Sequence, residues 1–246
     1  MSPVTRTRWV TFDCYGTLID WQTGFAAMVA RVAGDRVADV VRAYDAHERI
    51  IEQARPHRLF KDVVVTSLVR SASEVGASVS EADARRLLGA WAELRPFDDA
   101  EALLAGLRRR GYRLGVLTNC DDDLFEVTHR TFTKPFDLFV TAERVRGYKP
   151  APWHFRAFEM LTRVRRGDWV HVAASRHHDI DPAQTLGIKH VWLDRAHDAT
   201  GAATVSAYAT SGAEVIDAVD RLMHERRHGL PRSTSVDTTV SMVQPC

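Results

Sequence analysis

Five short runs rich in β-branched and aromatic residues recur along the chain: WVTF (9–12), RLGVLTN (113–119), FDLFVTA (136–142), WVHVAAS (169–175) and HVWLD (190–194). Between them apolar residues fall at helical spacing, as in Phe97, Ala100, Leu103, Leu104 and Leu107 before the second run. Strands that alternate with helices pair in parallel, because each helix carries the chain back across a face of the sheet. The fold class expected is therefore α/β, a Rossmann-like parallel sheet flanked by helices. One interval breaks the rhythm. About a hundred residues separate the first two runs, where a crossover needs roughly a dozen. Helical patterns fill that interval at 25–33, 37–54, 60–75 and 81–91, and RPFDD (95–99) marks the return. The excess predicts an inserted helical cap: a core of 1–20 and 96–228, a cap of 21–95, and a flexible tail at 229–246, where the sequence is polar and unpatterned.

Charge and cysteine content narrow the function classes. A chain of 246 residues can bury a sizeable core. A net charge of +1 leaves no electrostatic footprint for nucleic acid, so the partner expected is a small molecule. The three cysteines, Cys14, Cys120 and Cys246, are far apart and form no CxxC pair. That argues against a disulfide framework or a structural zinc and suits a reducing cytoplasm. No run of about 18 apolar residues offers a membrane span, and the first ten residues lack the apolar stretch of a signal peptide.

In an open parallel sheet, ligands bind beyond the carboxyl ends of the strands. Candidate groups fall at four such ends: Asp13, then Thr118 with Asn119, then Lys149, then Ser175 with Asp179. Each has a plainer reading, such as a strand-end cap for Asp13 or a solvated lysine before a turn for Lys149.

Taken together, FDCYGTL, VLTN, the lysine of GYKPAPWHF and VHVAASRHHDIDPA resemble, in order, the four motifs of the haloacid dehalogenase superfamily, over residues 9 to about 195. In that superfamily's phosphatases the second residue after the nucleophile is usually an aspartate, which protonates the leaving alkoxide and helps to bind magnesium. Here it is Tyr15. A halide leaves without a proton, so cleavage of a carbon–halogen bond needs no such acid. DCYGT thus resembles the type II L-2-haloacid dehalogenase branch.

The resemblance implies that Asp13 attacks the carbon bearing the leaving group and that water hydrolyses the resulting ester. It implies that Lys149 keeps Asp13 ionised, that Thr118 and Asn119 orient a substrate carboxylate, and that Asp179 positions Lys149 and the water. Tyr15 is expected to touch the substrate, as is an arginine of the cap, Arg49 in preference to Arg42. The expected reaction converts a short 2-haloalkanoic acid to the 2-hydroxy acid without metal or other cofactor.

Departures from the branch bear on the substrate. Its SSN run is replaced by Ala174-Ser175-Arg176, and Phe155 stands where it has a tyrosine. Ser175 survives, and Arg176, followed by His177 and His178, would bring a basic, titrating loop toward the substrate. Two alternatives stay open: ring opening of a small cyclic carboxylate such as azetidine-2-carboxylate, and a magnesium-dependent phosphatase. A metal site among His171, His177 and His178 is disfavoured by their directions on the chain, and a thiolate role for Cys14 or Cys120 by the lack of a histidine placed to activate it. Trp21, Trp91, Trp153 and Trp192 are read as packing residues that could also line an apolar pocket. Relatives often dimerise through the cap. The apolar LFKDVVVTSLV (59–69) is compatible with a homodimer or with packing inside a cap bundle.

Overall fold

A computed structural model describes residues 6–197, 199–200 and 202–224; the tail at 229–246 lies outside the described residues. Six strands form one fully parallel sheet in the order β3-β2-β1-β4-β5-β6. β1 (Trp9–Phe12) is central and all four of its residues are buried, as its uninterrupted apolar run requires of a strand covered on both faces. β2 (Arg113–Thr118), β3 (Leu138–Thr141), β4 (Trp169–Ala173) and β5 (Lys189–Leu193) follow the other four runs within a few residues. Phe12 pairs with Val116 on one side and Val172 on the other. Asp13, one residue on, therefore emerges level with Leu117 and Ala173, at the point where the strand order reverses.

The sequence reading had not marked β6 (Ala207–Ala209). The reason is local: AYA is short and two of its residues are alanine, so pairing with β5 and not propensity makes it a strand.

The interval between β1 and β2 is helical throughout, with α1 (Trp21–Ala33), α2 (Val37–Gln53), α3 (Phe60–Glu74) and α4 (Glu81–Leu87). Asp20 caps α1 by accepting from Thr23 N at 3.1 Å, and Ser80 with Asp83 forms a capping box on α4. The chain enters and leaves this cap side by side. Ile19 bridges Pro96, Asp20 N donates to Arg95 O at 2.9 Å, and Phe97 N to Leu18 O at 2.9 Å.

A second tie lies at the N-terminus of α3. Leu59, at the capping position, has no side-chain oxygen to offer; Asp121, in the loop after β2, accepts from Phe60 N at 2.8 Å and Lys61 N at 2.9 Å. The apolar 59–69 segment is the start of α3. Its Phe60, Val63, Val64, Val65 and Leu68 are buried within the single chain, which accounts for its composition. Among the described residues no helix is long and apolar enough to cross a membrane.

Asp121→Ala should leave two α3 amides without acceptors and cost about 1–2 kcal/mol, read as a lower urea midpoint. Asp121→Asn, which keeps one oxygen, should lose less. Equal stability of Asp121→Ala and the parent would remove Asp121 as the tie between cap and core.

Candidate active site

Beyond β1 the chain turns sharply, with Gly16 at a φ of +86° that a side chain would resist. Leu18 N and Ile19 N both donate to Cys14 O, at 2.8 and 3.0 Å. This turn brings the Thr17 hydroxyl onto Asp13 Oδ2 at 2.7 Å, while the same oxygen of Thr17 accepts from Ala174 N at 2.9 Å. Thr17 thereby ties the end of β1 to the end of β4. Thr17 is not among the candidates at the strand ends; its signal in the sequence is a hydroxyl four residues after an acid in a tight turn.

Lys149 meets Asp13 from the loop after β3. Its Nζ donates to Asp13 Oδ1 at 2.8 Å, Asp179 Oδ1 at 2.6 Å and Leu117 O at 2.9 Å, so all three ammonium hydrogens are spent. Its backbone is clamped by Asn119: Lys149 N donates to Asn119 Oδ1 at 2.7 Å, and Asn119 Nδ2 to Lys149 O at 3.1 Å.

Asp179 sits on a π-helical turn, Arg176–Ile180, opened by Ser175, whose Oγ accepts from His178 N. Behind it runs a buried chain of hydrogen bonds. The Trp169 indole can only donate, and gives its N–H to Thr11 Oγ1 at 2.8 Å. The Asp179 carboxylate can only accept, so His171 Nε2–H donates to its Oδ1 at 3.0 Å, while the Thr11 hydroxyl meets His171 Nδ1 at 2.9 Å. The proton on His171 Nε2 thus follows from the carboxylate it faces. Phe155 packs edge-on against His171, ring centres 5.0 Å apart, where the branch has its tyrosine.

These contacts split the two carboxyls electrostatically. Burial alone would raise Asp179, but Lys149 and His171 reverse it and hold it at about 2. For Asp13 burial wins: its carboxyl stands above the ordinary aspartate range, with Lys149 offsetting only part and Asp179 adding repulsion. Burial would lower Lys149, yet the two carboxylates raise it, so it stays an ammonium. Asp179 Oδ2 and Thr118 Oγ1 are buried with no hydrogen-bond partner among the described residues.

A cavity of about 660 Å³ opens over this cluster, and Asp13, Thr118, Asn119, Lys149, Ser175 and Asp179 all face it. Opposite stands α2, which contributes Asp45, Glu48, Arg49 and Glu52. Of the two cap arginines, Arg49 lines the cavity, whereas Arg42 is exposed and paired with Asp39 at 3.1 Å. The α2 acids went unremarked in the sequence, where acids on a helix read as a solvated face. Tyr15 lines the cavity too, but its hydroxyl is engaged by Thr128 Oγ1 at 2.8 Å and Trp91 Nε1 at 2.9 Å. Burial pushes that phenol well above its usual value, which makes it a wall and not a proton donor.

Arg176, expected on the substrate, lies elsewhere. It reaches Thr204 Oγ1 at 3.1 Å and sits over the Trp192 ring at 5.2 Å, outside the cavity lining. His177 is exposed; His178 lines the cavity, with Nδ1 at 3.1 Å from Ser175 Oγ and burial holding it down at about 4. Cys14 and Cys120 are buried free thiols that burial pushes up, away from thiolate chemistry. Among the described residues no group of three or more His, Cys, Asp or Glu side chains is arranged to hold a metal ion.

Comparison with known proteins gives the chain's family and fold. A curated relative, haloacetate dehalogenase H-2 of Moraxella sp. (strain B), is 25% identical over 194 residues, covering 76% of this chain and 85% of its own. An (S)-2-haloacid dehalogenase of Pseudomonas putida is 23% identical over 195 residues, covering 77% and 86%. Among solved structures, the L-2-haloacid dehalogenase RSc1362 superposes with a TM-score of 0.77 at 23% identity, covering 88% of this chain and all of its own. The L-2-haloacid dehalogenase from Xanthobacter autotrophicus, with chloropropionic acid covalently bound, gives 0.76 at 18% identity, covering 87% and 99%. At such identities these likenesses speak for the fold. The model of the haloacid dehalogenase-like hydrolases matches residues 7–187, most of the chain, and the protein belongs to that family.

Proposed function

We propose that the protein removes halide from a short 2-haloalkanoic acid through an ester on Asp13. The observation that carries this reading is the setting of Asp13. One of its oxygens rests on Lys149 and the other on Thr17, beneath a cavity, with a tyrosine and not an acid two residues on. Relatives named as haloacetate and 2-haloacid dehalogenases support it.

On this reading a carboxylate oxygen of Asp13 attacks the carbon, the carbon–halogen bond breaks, and the halide leaves with the bonding pair. Water then adds to the aspartyl carbonyl. Asp179 Oδ2, which has no partner among the described residues, is an open hydrogen-bond acceptor that orients this water. The product is the 2-hydroxy acid, with one halide and one proton released. Thr118 Oγ1, buried and unpartnered, and Arg49 on the cap are the donors for the substrate carboxylate. Lys149 lowers the cost of charge on Asp13 while Asn119 fixes its backbone. A phosphatase reading lacks its proton donor, since Tyr15 supplies no carboxylate. Free, buried thiols at Cys14 and Cys120 suit the cytoplasm proposed as its setting.

The source of the new oxygen tests the ester. In heavy-oxygen water, with enzyme in excess over 2-chloropropionate, the first product should be unlabelled and the label should enter the peptide containing Asp13. Product fully labelled in a single turnover would make water the direct nucleophile. Asp13→Asn should abolish turnover while circular dichroism stays unchanged.

Lys149 offers a second test. Lys149→Ala should lower kcat by about a thousandfold or more while KM moves a few-fold, because the contact is to Asp13 and not to substrate. The pH profile carries a sign. Asp13 attacks as its anion, so activity falls as pH drops through its raised pKa, and the acid limb should lie above the ordinary aspartate value. Removing the ammonium should move that limb to higher pH. An unmoved limb with near-normal kcat would remove Lys149 from the chemistry.

A further inference from the structure

The cavity holds many acceptors and few available donors. Seven carboxyl side chains line it against three cations. Two of those cations are already committed. Lys149 has spent its three hydrogens on Asp13, Asp179 and Leu117 O. Arg195 grips both oxygens of Asp99, at 2.9 and 2.8 Å, and donates twice to Thr17 O. Arg49 alone is left to answer the cap wall.

That wall is a single helical face. Asp45, Glu48 and Glu52 follow one another on α2 at spacings of three and four residues, so their side chains stack along one side of the helix. Glu52 is only 6% exposed, and its nearest donors are uncharged: Asn119 Nδ2 at 3.3 Å, and His178 Nε2 at 3.9 Å from a histidine that burial keeps neutral at pH 7. Glu48 accepts from the Tyr44 hydroxyl at 2.8 Å, again an uncharged donor. Carboxyls taken out of water beside neutral hydrogen-bond donors are costly to ionise, and burial raises Glu48 to about 7 and Glu52 well above the usual value. Arg49, and Lys149 for Glu52, offset only part of this, and a ligand cation would favour the charged form of both. The core side adds an acceptor without a partner among the described residues, Asp179 Oδ2, while the unpartnered Thr118 hydroxyl on the same cavity can donate to a ligand carboxylate.

A plain haloacid supplies one more negative charge and no donor. A ligand that complements this lining brings hydrogens and positive charge to the α2 acids and a carboxylate to Arg49. We infer that the substrate class is a short zwitterion, a 2-substituted carboxylate that carries an ammonium group, with Glu52 and Glu48 as the residues that select the ammonium. This rests on the Asp13 ester reading for which carbon reacts, but not on the identity of the leaving group.

The test compares ligands that differ only in that group. Calorimetry would measure the affinity of 3-amino-2-hydroxypropanoate against 2-hydroxypropanoate, neither of which can be dehalogenated. The parent protein should prefer the amino ligand by about tenfold or more, the ratio that ~1.4 kcal/mol of charge-assisted bonding gives. Glu52→Gln, and separately Glu48→Gln, should each reduce the ratio, with circular dichroism showing whether the fold is kept. Equal affinity, preference for the uncharged ligand, binding of neither, or a ratio that survives both folded variants would overturn the inference. Halide release from 3-amino-2-chloropropanoate and 2-chloropropanoate separates this from the reading beneath it. Release from both at equal kcat/KM sinks the zwitterion and keeps the dehalogenase; a tenfold binding preference with no halide from either keeps the zwitterion and sinks the dehalogenase.

Discussion

The structure is organised around an ammonium out of reach of water. Lys149 is 1% exposed, and its charge is tolerable only because Asp13, Asp179 and Leu117 O accept its three hydrogens at 2.6 to 2.9 Å. Taking an ion of that size from water costs several kcal/mol, and stranding it by removing one partner costs about 3–5 kcal/mol. Each partner therefore has to be held in place. Asp13 is placed by the level ends of β1, β2 and β4 and by Thr17, Asp179 by the π-helical turn and His171, and the lysine backbone by Asn119. Much of the polar architecture at the carboxyl edge of the sheet follows from that one buried charge.

The two carboxylates share the lysine unequally, and this asymmetry is chemically useful. Asp179 also receives His171 Nε2–H, so it holds its negative charge firmly and keeps one oxygen open. Asp13 receives only Thr17 besides the lysine, and burial leaves it the more basic of the pair. A more basic carboxylate is the better nucleophile. Lys149 and the extra hydrogen bond from His171 set the difference, and the chain behind His171, through Thr11 to Trp169, lies outside the cavity lining.

Much of this was legible in the sequence, for reasons that also mark where reading stops. Asp13, Thr118, Lys149 and Asp179 were legible because a parallel sheet gathers the ends of its strands, and each lies at the end of an apolar run or in the loop that follows one. Arg176 was misjudged because position in a loop does not give direction. A π-helical turn spends five residues where an α-turn spends fewer, and it sends Asp179 inward and Arg176 out toward Thr204. The α2 acids were invisible for a different reason. Acidic residues on a helix ordinarily face solvent, and only the placement of the cap over the strand ends turns that face into the wall of a cavity. β6 escaped because a three-residue edge strand is specified by its neighbour and not by its own composition.

The loop after β2 has two duties within three residues. Asn119 grips the backbone of Lys149, and Asp121 caps the first turn of α3. The helical insertion and the buried lysine are thus mounted on one bracket. In evolutionary terms the insertion is not a free module: a cap from another member, grafted at the neck between Ile19 and Pro96, would inherit a bracket shaped for a different helix. Its misfit would pass through Cys120 to the residue that holds the lysine. Diversification of the cap in such a chain has to proceed together with the 119–121 loop, or else within α2, whose cavity face can change while the mount stays as it is.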